Sequence, residues 1–162
     1  LRMFADQAQK FAIRQVQQDF FKFQTDPVDL LISQEVLEHL PDVDKAMKKM
    51  RTFIRSGGFA IFCVPYEENL ESKMITDPVT GERYHKNGHL HRFTRSSFID
   101  YAEVSGFKVL KVKLNANKRL VRWFTKLNVS VTPATCGLDD LMNRLFPHKS
   151  AYIAILCRNM NA

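Results

Sequence analysis

Two short apolar segments of strand length, separated by a helical pattern, constrain the fold of this chain most. Residues 28–33 read VDLLIS and residues 59–64 read FAIFCV. Pro41-Asp42 begins a helical pattern that continues through Ile54, and Gly57-Gly58 is predicted to end this helix and lead into the second strand. Such apolar runs are typical of strands buried on both faces, as in parallel sheets. The order strand, helix, strand therefore predicts a parallel β-α-β unit.

The remaining sequence continues this alternation of strands and helices. A long polar stretch at residues 66–91 reads as one loop, and loops of that length are usually functional or disordered. The order of elements predicts an α/β sheet with crossover helices. The other predicted elements are a helix over 2–14, a strand end and loop over 16–21, a helix from Thr94 to Gly106, a strand over 107–114, short amphipathic helices over 118–127 and 138–146, and a last strand over 151–157.

Composition narrows the class of protein but not its partner. The 162 residues, 45% of them hydrophobic, suit one globular domain. No apolar run approaches the roughly 18–20 residues that span a bilayer. Three widely spaced cysteines suit buried thiols in a reducing compartment, so we predict a cytoplasmic protein. The net charge of +7 is compatible with nucleic acid, acidic lipid or an anionic metabolite, and it selects none of them.

The segment directly after the first predicted strand has the strongest chemical signal. Residues 33–41 read SQEVLEHLP and contain two carboxylates and an imidazole within five positions. In a turn of helix, Glu35, Glu38 and His39 fall on one face. That arrangement suits acid–base catalysis, metal binding or orientation of a ligand. It is equally the pattern of a solvated helix start, where acidic side chains are favoured by the helix dipole.

Several segments in order resemble the class I S-adenosylmethionine-dependent methyltransferases. Residues 28–42 (VDLLISQEVLEHLPD) are similar to the family's fourth-strand region with its E-V-L-E-H stretch. Residues 50–65 resemble the following helix, Gly-Gly turn and fifth strand, and residues 89–109 resemble the later histidine-phenylalanine-threonine block. The terminal run at 151–157 fits the seventh strand. The resemblance covers about residues 15–114 and 151–157.

This resemblance implies both a fold and a cofactor. The expected fold is a partial Rossmann-like methyltransferase sheet, mostly parallel with an antiparallel last strand, that lacks the N-terminal glycine-rich strand-turn-helix. Residues 1–162 would form a single, truncated domain with a helical insertion at about 115–150. The implied reaction is methyl transfer from S-adenosyl-L-methionine to an unidentified acceptor, for which a small molecule is favoured, while a nucleic acid stays open.

The resemblance also assigns roles to residues by position. Asp19 would accept a hydrogen bond from the adenine amino group and Phe20 would pack on the adenine, although a capped loop with a core phenylalanine explains the same pair. The other cofactor-binding candidates are Ser33, Gln34, Glu35 and Val36. The substrate-binding candidates are Pro65, Tyr66, His91 and Arg92, and the candidates for a general base are Glu35, His39 and His89.

The sequence assigns no metal site and leaves two alternative functions open. His89 and His91 could share an ion, but one bound to the backbone and the other in solvent is the favoured interpretation. The small-RNA 2′-O-methyltransferases hold a metal with an E-x-x-E-H stretch and a later histidine, which Glu35, Glu38, His39 and either His89 or His91 could imitate. The other alternative is a non-catalytic, methyltransferase-like interaction module.

One part of the family pattern is missing from the sequence. The first glycine is Gly57, so no glycine turn precedes the segments that resemble the family. Such glycines let the backbone approach the cofactor closely. Asp6 could stand for the ribose-binding acid, but the twelve residues between it and Asp19 are too few for the expected helix and strand. The expectation is a truncated chain or a degenerate relative.

We therefore predict that the 162-residue chain by itself binds S-adenosylmethionine weakly or not at all. The physical reason is that the glycine turn supplies the close backbone contacts that this chain lacks. Isothermal titration calorimetry measures this directly, and micromolar affinity for the isolated chain contradicts the prediction.

Overall fold

The computed structural model describes residues 13–14 and 16–160. The predicted helix over 2–14, and Asp6 with it, falls almost wholly outside the described residues. The strands are β1 (Val28–Gln34), β2 (Ile54–Pro65), β3 (Met74–Thr76), β4 (Arg83–His85), β5 (Phe107–Asn117) and β6 (Ser150–Asn159). The α-helices are α1 (Val43–Thr52), α2 (Arg95–Val104), α3 (Lys118–Leu127) and α4 (Pro133–Leu145), with 3-10 turns at Leu37–His39, Glu71–Lys73 and Pro147–Lys149.

Four strands form the main sheet in the order β1-β2-β6-β5. The strands β1 and β2 pair in parallel, whereas β6 pairs antiparallel with both β2 and β5. Three strands therefore point the same way and the last one is antiparallel, which confirms the prediction of a mostly parallel sheet with an antiparallel last strand. The crossover through α1 returns the chain to the start of β2, as parallel pairing requires.

The two faces of this sheet differ in burial. Apolar side chains of α1, α2 and the sheet form one core, whose fully buried members include Leu37, Met47, Phe62, Phe98 and Ile155. On the other face, Leu30 and Ile32 of β1 are 47% and 64% exposed. The prediction that β1 is buried on both faces is therefore wrong for the described residues, because the helices they form cover only one side of this strand.

The junction between α1 and β2 also differs from the prediction. Asp42 caps α1 by accepting a hydrogen bond from Lys45 N–H at 2.8 Å, but the helix ends at Thr52, before the two glycines. Gly57, at a φ of 73°, lies inside β2 where the register with β1 shifts. A Cβ on Gly58 would lie 2.8 Å from a methyl carbon of Ile54. The glycines thus permit an irregularity within the strand and do not mark its beginning.

A buried polar contact joins the end of the chain to this junction. Arg51 donates from Nε to Asn159 Oδ1 at 3.0 Å, and Asn159 Nδ2 donates to the Ile54 carbonyl at 2.7 Å. Gly106 follows α2 with a φ of 88°, and a Cβ there would lie 2.5 Å from the Arg51 guanidinium. A residue with left-handed backbone at a helix end is usually glycine.

Three further predicted elements need correction. Residues 16–21 contain no strand, because the chain forms a turn at Asp19. The polar stretch 66–91 is not one loop, since β3 and β4 pair antiparallel within it. The helix predicted over 138–146 begins earlier, at Pro133, where Thr132 provides a capping box. The helix α3 has the predicted bounds.

Among the described residues, none of the helices combines the length and the apolar character that crossing a bilayer requires.

We predict that Gly106→Ala lowers the free energy of unfolding by about 1–2 kcal/mol, because an L-residue is strained at this φ. The matched control is Gly137→Ala within α4, where a Cβ meets no atom within 4 Å. Alanine in an open helix position stabilises by up to about 1 kcal/mol. Urea denaturation followed by circular dichroism should shift in opposite directions for the two variants, and equal shifts contradict this account.

Candidate functional site

The carboxyl ends of β1 and β2 lie side by side and carry the first predicted site residues. In the parallel register Ser33 faces Phe62 and Gln34 faces Cys63. Ser33 is buried, and its hydroxyl oxygen has no hydrogen-bond partner among the described residues. Glu35 leaves the strand with a φ of 52°, held by a hydrogen bond from its N–H to the Cys63 carbonyl at 2.9 Å. Strand ends of this kind are where α/β sheets bind ligands.

Glu35 connects these ends to the antiparallel strand β6. Tyr152, which pairs with Pro65, lies close enough to the Glu35 carboxylate to feel its charge. Burial raises the pKa of the Tyr152 phenol, and the charge of Glu35 raises it further. The phenol therefore stays protonated beside the carboxylate. Gln34 and Val36 on either side of Glu35 are exposed.

Glu35, Glu38 and His39 do not share one helical face, because the turn of helix on which that arrangement depends does not include Glu35. The left-handed backbone at Glu35 breaks the helical path, and the 3-10 turn begins only at Leu37. Glu38 is completely buried, whereas Glu35 and His39 are exposed. No other described residue donates a hydrogen bond to either carboxylate oxygen of Glu38.

The charge state of Glu38 reflects this environment. Burial raises the pKa of its carboxyl above the ordinary value, and the charge of Glu35 acts in the same direction. The Glu38 backbone N–H and the imidazoles of His39 and His89 oppose the shift without cancelling it. A carboxylate buried without a partner is costly.

Two hydrogen bonds fasten a distant segment across the 3-10 turn. The Leu90 N–H donates to the Glu38 carbonyl at 2.7 Å, and His39 donates from Nδ1 to the Gly88 carbonyl at 3.2 Å. With these contacts, the ring centroids of His89 and His39 lie 4.7 Å apart, and the two rings meet edge to face. Two of the three predicted base candidates are therefore neighbours.

His89 is held from its other side by Glu68. The Glu68 carboxylate is buried and accepts hydrogen bonds from His89 Nδ1 and from the Lys73 ammonium. Burial by itself raises the pKa of Glu68, but these two partners outweigh it and lower the pKa below its ordinary value. Glu68 is therefore ionised, and His89 is oriented by a carboxylate instead of pointing into solvent.

A histidine that the sequence analysis did not select supports the same ring. His85 stacks on His89 with ring centroids 4.8 Å apart. Its Nδ1 accepts hydrogen bonds from the backbone N–H groups of Asn87 and His89, and burial lowers its pKa. A neutral His85 thus fixes the backbone that carries His89.

A cleft of about 390 Å³ opens at this end of the sheet. It includes four of the predicted site residues, Glu35, Pro65, Tyr66 and His89, together with Glu68 and Lys73. Lys118, which directly follows β5, and Tyr152, near the start of β6, also line the cleft. Neither His39 nor Arg92 is part of its wall.

The remaining substrate-binding candidates, His91 and Arg92, do not line the cleft. His91 is half-buried and donates from Nε2 to the Leu40 carbonyl at 2.8 Å, so it holds two segments together outside the cleft wall. Arg92 is exposed. Burial raises the pKa of the Tyr66 phenol, and the positive charge of Arg92 acts in the opposite direction. The backbone-bound member of the predicted histidine pair is thus His91.

Asp19 and Phe20 lie at the opposite end of the sheet. Asp19 accepts a hydrogen bond from Phe21 N–H at 2.8 Å. The rings of Phe20 and Phe53 pack edge to face, with their centroids 6.1 Å apart. The Phe53 carbonyl accepts from Val28 N–H at the start of β1, so about 16 Å of strand separates this point from Ser33. The structure does not bring the two groups of cofactor candidates together, and Asp19 with Phe20 forms a capped turn on the core.

The sequence analysis missed Glu68, Lys73 and His85. All three belong to the stretch 66–91, for which the sequence predicts one polar loop. The available signal was weak: Glu68 follows a predicted strand end by a few residues, and His85 precedes His89 by four. Only the pairing of β3 with β4 shows that this stretch is ordered around His89.

Two groups of side chains in the described part of the chain have the composition of metal ligands. Glu38, His39 and His89 offer donor atoms within 4.8 Å of one another, and so do Glu68, His85 and His89. Both groups include His89, so a single ion could use only one of them through this ring.

Comparison with known proteins identifies the family. A family model described as a methyltransferase domain matches residues 4–112, which is more than half of the chain. The chain belongs to this methyltransferase family. The match confirms the resemblance seen in the sequence, although it does not resolve the E-V-L-E-H subgroup. No curated protein matches the chain.

Solved structures show the same fold at low sequence identity. The 4+2 cyclase SpnF is 13% identical with a TM-score of 0.61, and the match covers 99% of this chain and 62% of SpnF. The 1,6-didemethyltoxoflavin N1-methyltransferase of Burkholderia thailandensis, solved with S-adenosylhomocysteine, is 12% identical with a TM-score of 0.60. That match covers 98% of this chain and 56% of the enzyme. The methyltransferase domain described here thus spans about three-fifths of these structures.

We predict that Glu38→Gln raises the free energy of unfolding at pH 8 by about 1 kcal/mol or more, because it removes an unpartnered buried charge. The gain should shrink as the pH falls through the raised pKa of Glu38, since the wild-type carboxyl then becomes neutral as well. Thermal unfolding in a buffer with a chelator measures the effect. Glu35→Gln on the exposed neighbour is the control, and destabilisation by Glu38→Gln at pH 8 contradicts the prediction.

Proposed function

We propose that this methyltransferase domain transfers a methyl group from S-adenosylmethionine to a small-molecule acceptor. One observation carries the proposal: the ends of β1 and β2 present Ser33 and Glu35 beside a cleft, in a chain that belongs to a methyltransferase family. Ligands of open α/β sheets bind at such strand ends. The acceptor would occupy the cleft, and the cofactor would approach from the side of β1.

The residues at the end of β1 fit the methionine part of the cofactor. A buried hydroxyl without a partner, such as that of Ser33, gains most from a polar ligand atom. The Glu35 carboxylate can accept a hydrogen bond from an ammonium group. Because no glycine occurs before Gly57, residues 1–56 offer no glycine turn for close backbone contact. Ser33 and Glu35 therefore fit the methionine part of the cofactor, and the proposal is limited to that part.

The cleft suits a small acceptor in size and chemistry. Its volume of about 390 Å³ lies within the range of about 300–1,000 Å³ that is usual for small-molecule sites. S-adenosylmethionine supplies an electrophilic methyl group when it is bound. The chain would contribute mainly by holding the acceptor atom in line with that group, which removes much of the entropic barrier. Glu35 and His89 line the cleft and are the base candidates for a hydroxyl acceptor.

Cofactor binding has to be tested separately from the fold. SpnF has the same fold but its description is that of a cyclase, and a fold hosts different activities. The interaction-module alternative predicts no cofactor binding, whereas the proposed function requires it. Binding of S-adenosylhomocysteine by the full native protein is therefore the first measurement.

We predict that Ser33→Ala weakens binding of S-adenosylhomocysteine about five- to tenfold, the usual effect of losing one hydrogen bond. The matched control is Ser105→Ala. Ser105 is also buried with an unpartnered hydroxyl, but it precedes β5 at the opposite end of the sheet. Calorimetric titration of the full native protein distinguishes the two variants. Equal affinities for wild type and Ser33→Ala, or no binding to wild type, would overturn the proposed cofactor site.

A further inference from the structure

The net positive charge of the chain is concentrated in one stretch of its sequence. Lysine and arginine total 24 residues, and aspartate and glutamate total 17. Residues 104–138 contain seven of the lysines and arginines and none of the acidic residues. The rest of the chain therefore has equal numbers of positive and negative side chains, and this stretch accounts for the whole net charge of +7. The stretch includes β5, α3 and the beginning of α4.

The helix α3 within this stretch presents apolar side chains to solvent. All ten of its residues are described, and none of them is buried. Leu120 and Phe124 are half-buried, whereas Trp123 and Leu127 are 68% and 63% exposed. Because Trp123 and Leu127 are four positions apart, they lie on the same side of the helix. The apolar surface continues beyond α3 at Val131, which is 84% exposed. Contiguous exposed apolar residues mark interaction sites, whereas single ones do not.

Cationic side chains border the pair formed by Trp123 and Leu127. Arg119, Arg122 and Lys126 are spaced three and four positions apart, which places them along one side of α3. Together with Trp123 and Leu127 they surround one surface depression of about 570 Å³. In the described part of the chain, neither Arg122 nor Lys126 forms an ion pair with an acidic side chain. Their charges can therefore act on an anionic partner.

We propose that α3 binds to the surface of a membrane that contains anionic lipids. A helix with lysine and arginine on one side and tryptophan, phenylalanine and leucine on the other is typical of segments that lie in the plane of the lipid headgroups. Tryptophan is enriched at this depth, because its ring is largely apolar and its N–H is polar. Lysine and arginine near the membrane surface are attracted by anionic headgroups. The helix would lie parallel to the bilayer and would not cross it.

Two other partners fit this surface less well. A nucleic acid would use the cations and could stack a base on Trp123, but the aliphatic side chains of Leu127 and Val131 would gain nothing from it. A symmetric dimer through α3 would place the cations of one copy against the same cations of the other. Residues 104–138 contain no acidic residue that would compensate this repulsion.

The position of α3 relates the membrane surface to the cleft. Lys118, the first residue of α3, lines the cleft. A chain bound to a membrane through α3 would therefore hold its cleft close to the lipid headgroups. Lipid binding requires neither S-adenosylmethionine nor an acceptor, so this inference and the proposed function can fail separately.

The test is co-sedimentation of the native protein with lipid vesicles. We expect binding to phosphatidylcholine vesicles that contain about 30% phosphatidylglycerol, and no binding to vesicles of phosphatidylcholine alone. Binding should weaken as the salt concentration rises from about 50 to about 500 mM, because salt screens the attraction between exposed charges.

Tryptophan fluorescence shows whether α3 itself enters the lipid. Trp123 is the only tryptophan of the 162 residues. Its emission should shift to shorter wavelength when anionic vesicles are added, because the indole leaves water for the headgroup region. Trp123→Phe should abolish this shift while the protein still binds the vesicles.

A pair of charge variants tests whether the cations act locally. Arg122→Gln combined with Lys126→Gln should weaken vesicle binding about thirtyfold, because each cation near an anionic surface contributes about fivefold. Arg119 stays unchanged, since it packs over the ring of Phe146. The matched control combines Lys22→Gln with Lys48→Gln, which removes the same charge from exposed positions outside the stretch. Its affinity should stay within about twofold of wild type, because distant charges are screened.

A second pair of variants tests the apolar side of α3. Leu127→Ser should weaken vesicle binding about tenfold, because an exposed leucine no longer gains from burial in lipid. Val79→Ser is the control, since Val79 is 91% exposed and lies between β3 and β4. It should bind like wild type, and circular dichroism verifies that every variant is folded.

Several results would overturn this proposal. The native protein would not bind anionic vesicles, it would bind them without a shift of the Trp123 emission, or the control pair would lose as much affinity as the pair in α3. Binding of a single-stranded RNA oligonucleotide through Arg122 and Lys126, without vesicle binding, would assign the surface to nucleic acid. A dimer in sedimentation velocity that Leu127→Ser dissociates, without vesicle binding, would assign it to a second copy of the chain.

Discussion

The parallel pairing of β1 with β2 determines where polar groups can gather in this methyltransferase domain. Because both strands run in the same direction, their carboxyl ends meet at one edge, and the polar residues that follow them become neighbours. The crossover through α1 buries the apolar side chains that make this pairing favourable. Glu35 at the end of β1 and Pro65 at the end of β2 line the same cleft for this reason.

The second requirement of the site is the attachment of residues 88–90 to the 3-10 turn. Two hydrogen bonds hold this segment, one from Leu90 to the Glu38 carbonyl and one from His39 to the Gly88 carbonyl. They bring His89 beside Glu38 at a buried position, where an unpaired carboxylate costs stability. Retaining a costly buried group is typical of functional sites, where stability and function compete.

The two groups of polar residues at this end of the sheet differ in chemistry. The end of β1 offers a buried hydroxyl and an exposed carboxylate, which suit the polar atoms of a cofactor. Beside the cleft, the imidazoles of His39 and His89 lie next to the buried carboxylate of Glu38. Glu68 links the two places, because it orients His89 while its partner Lys73 lines the cleft. The capped turn at Asp19 contributes to neither place, since it lies at the other end of the sheet.

The sequence by itself determined the order of the four main-sheet strands and of the helices between them, and it determined the family. These follow from local patterns, because apolar periodicity and short motifs act over a few residues. The tertiary structure alone decided that β1 has an open face, that Glu38 is buried while Glu35 is not, and that Glu68 and His85 surround His89. Those facts depend on contacts between residues far apart in the chain, and no local pattern specifies which side chains meet after the sheet has formed.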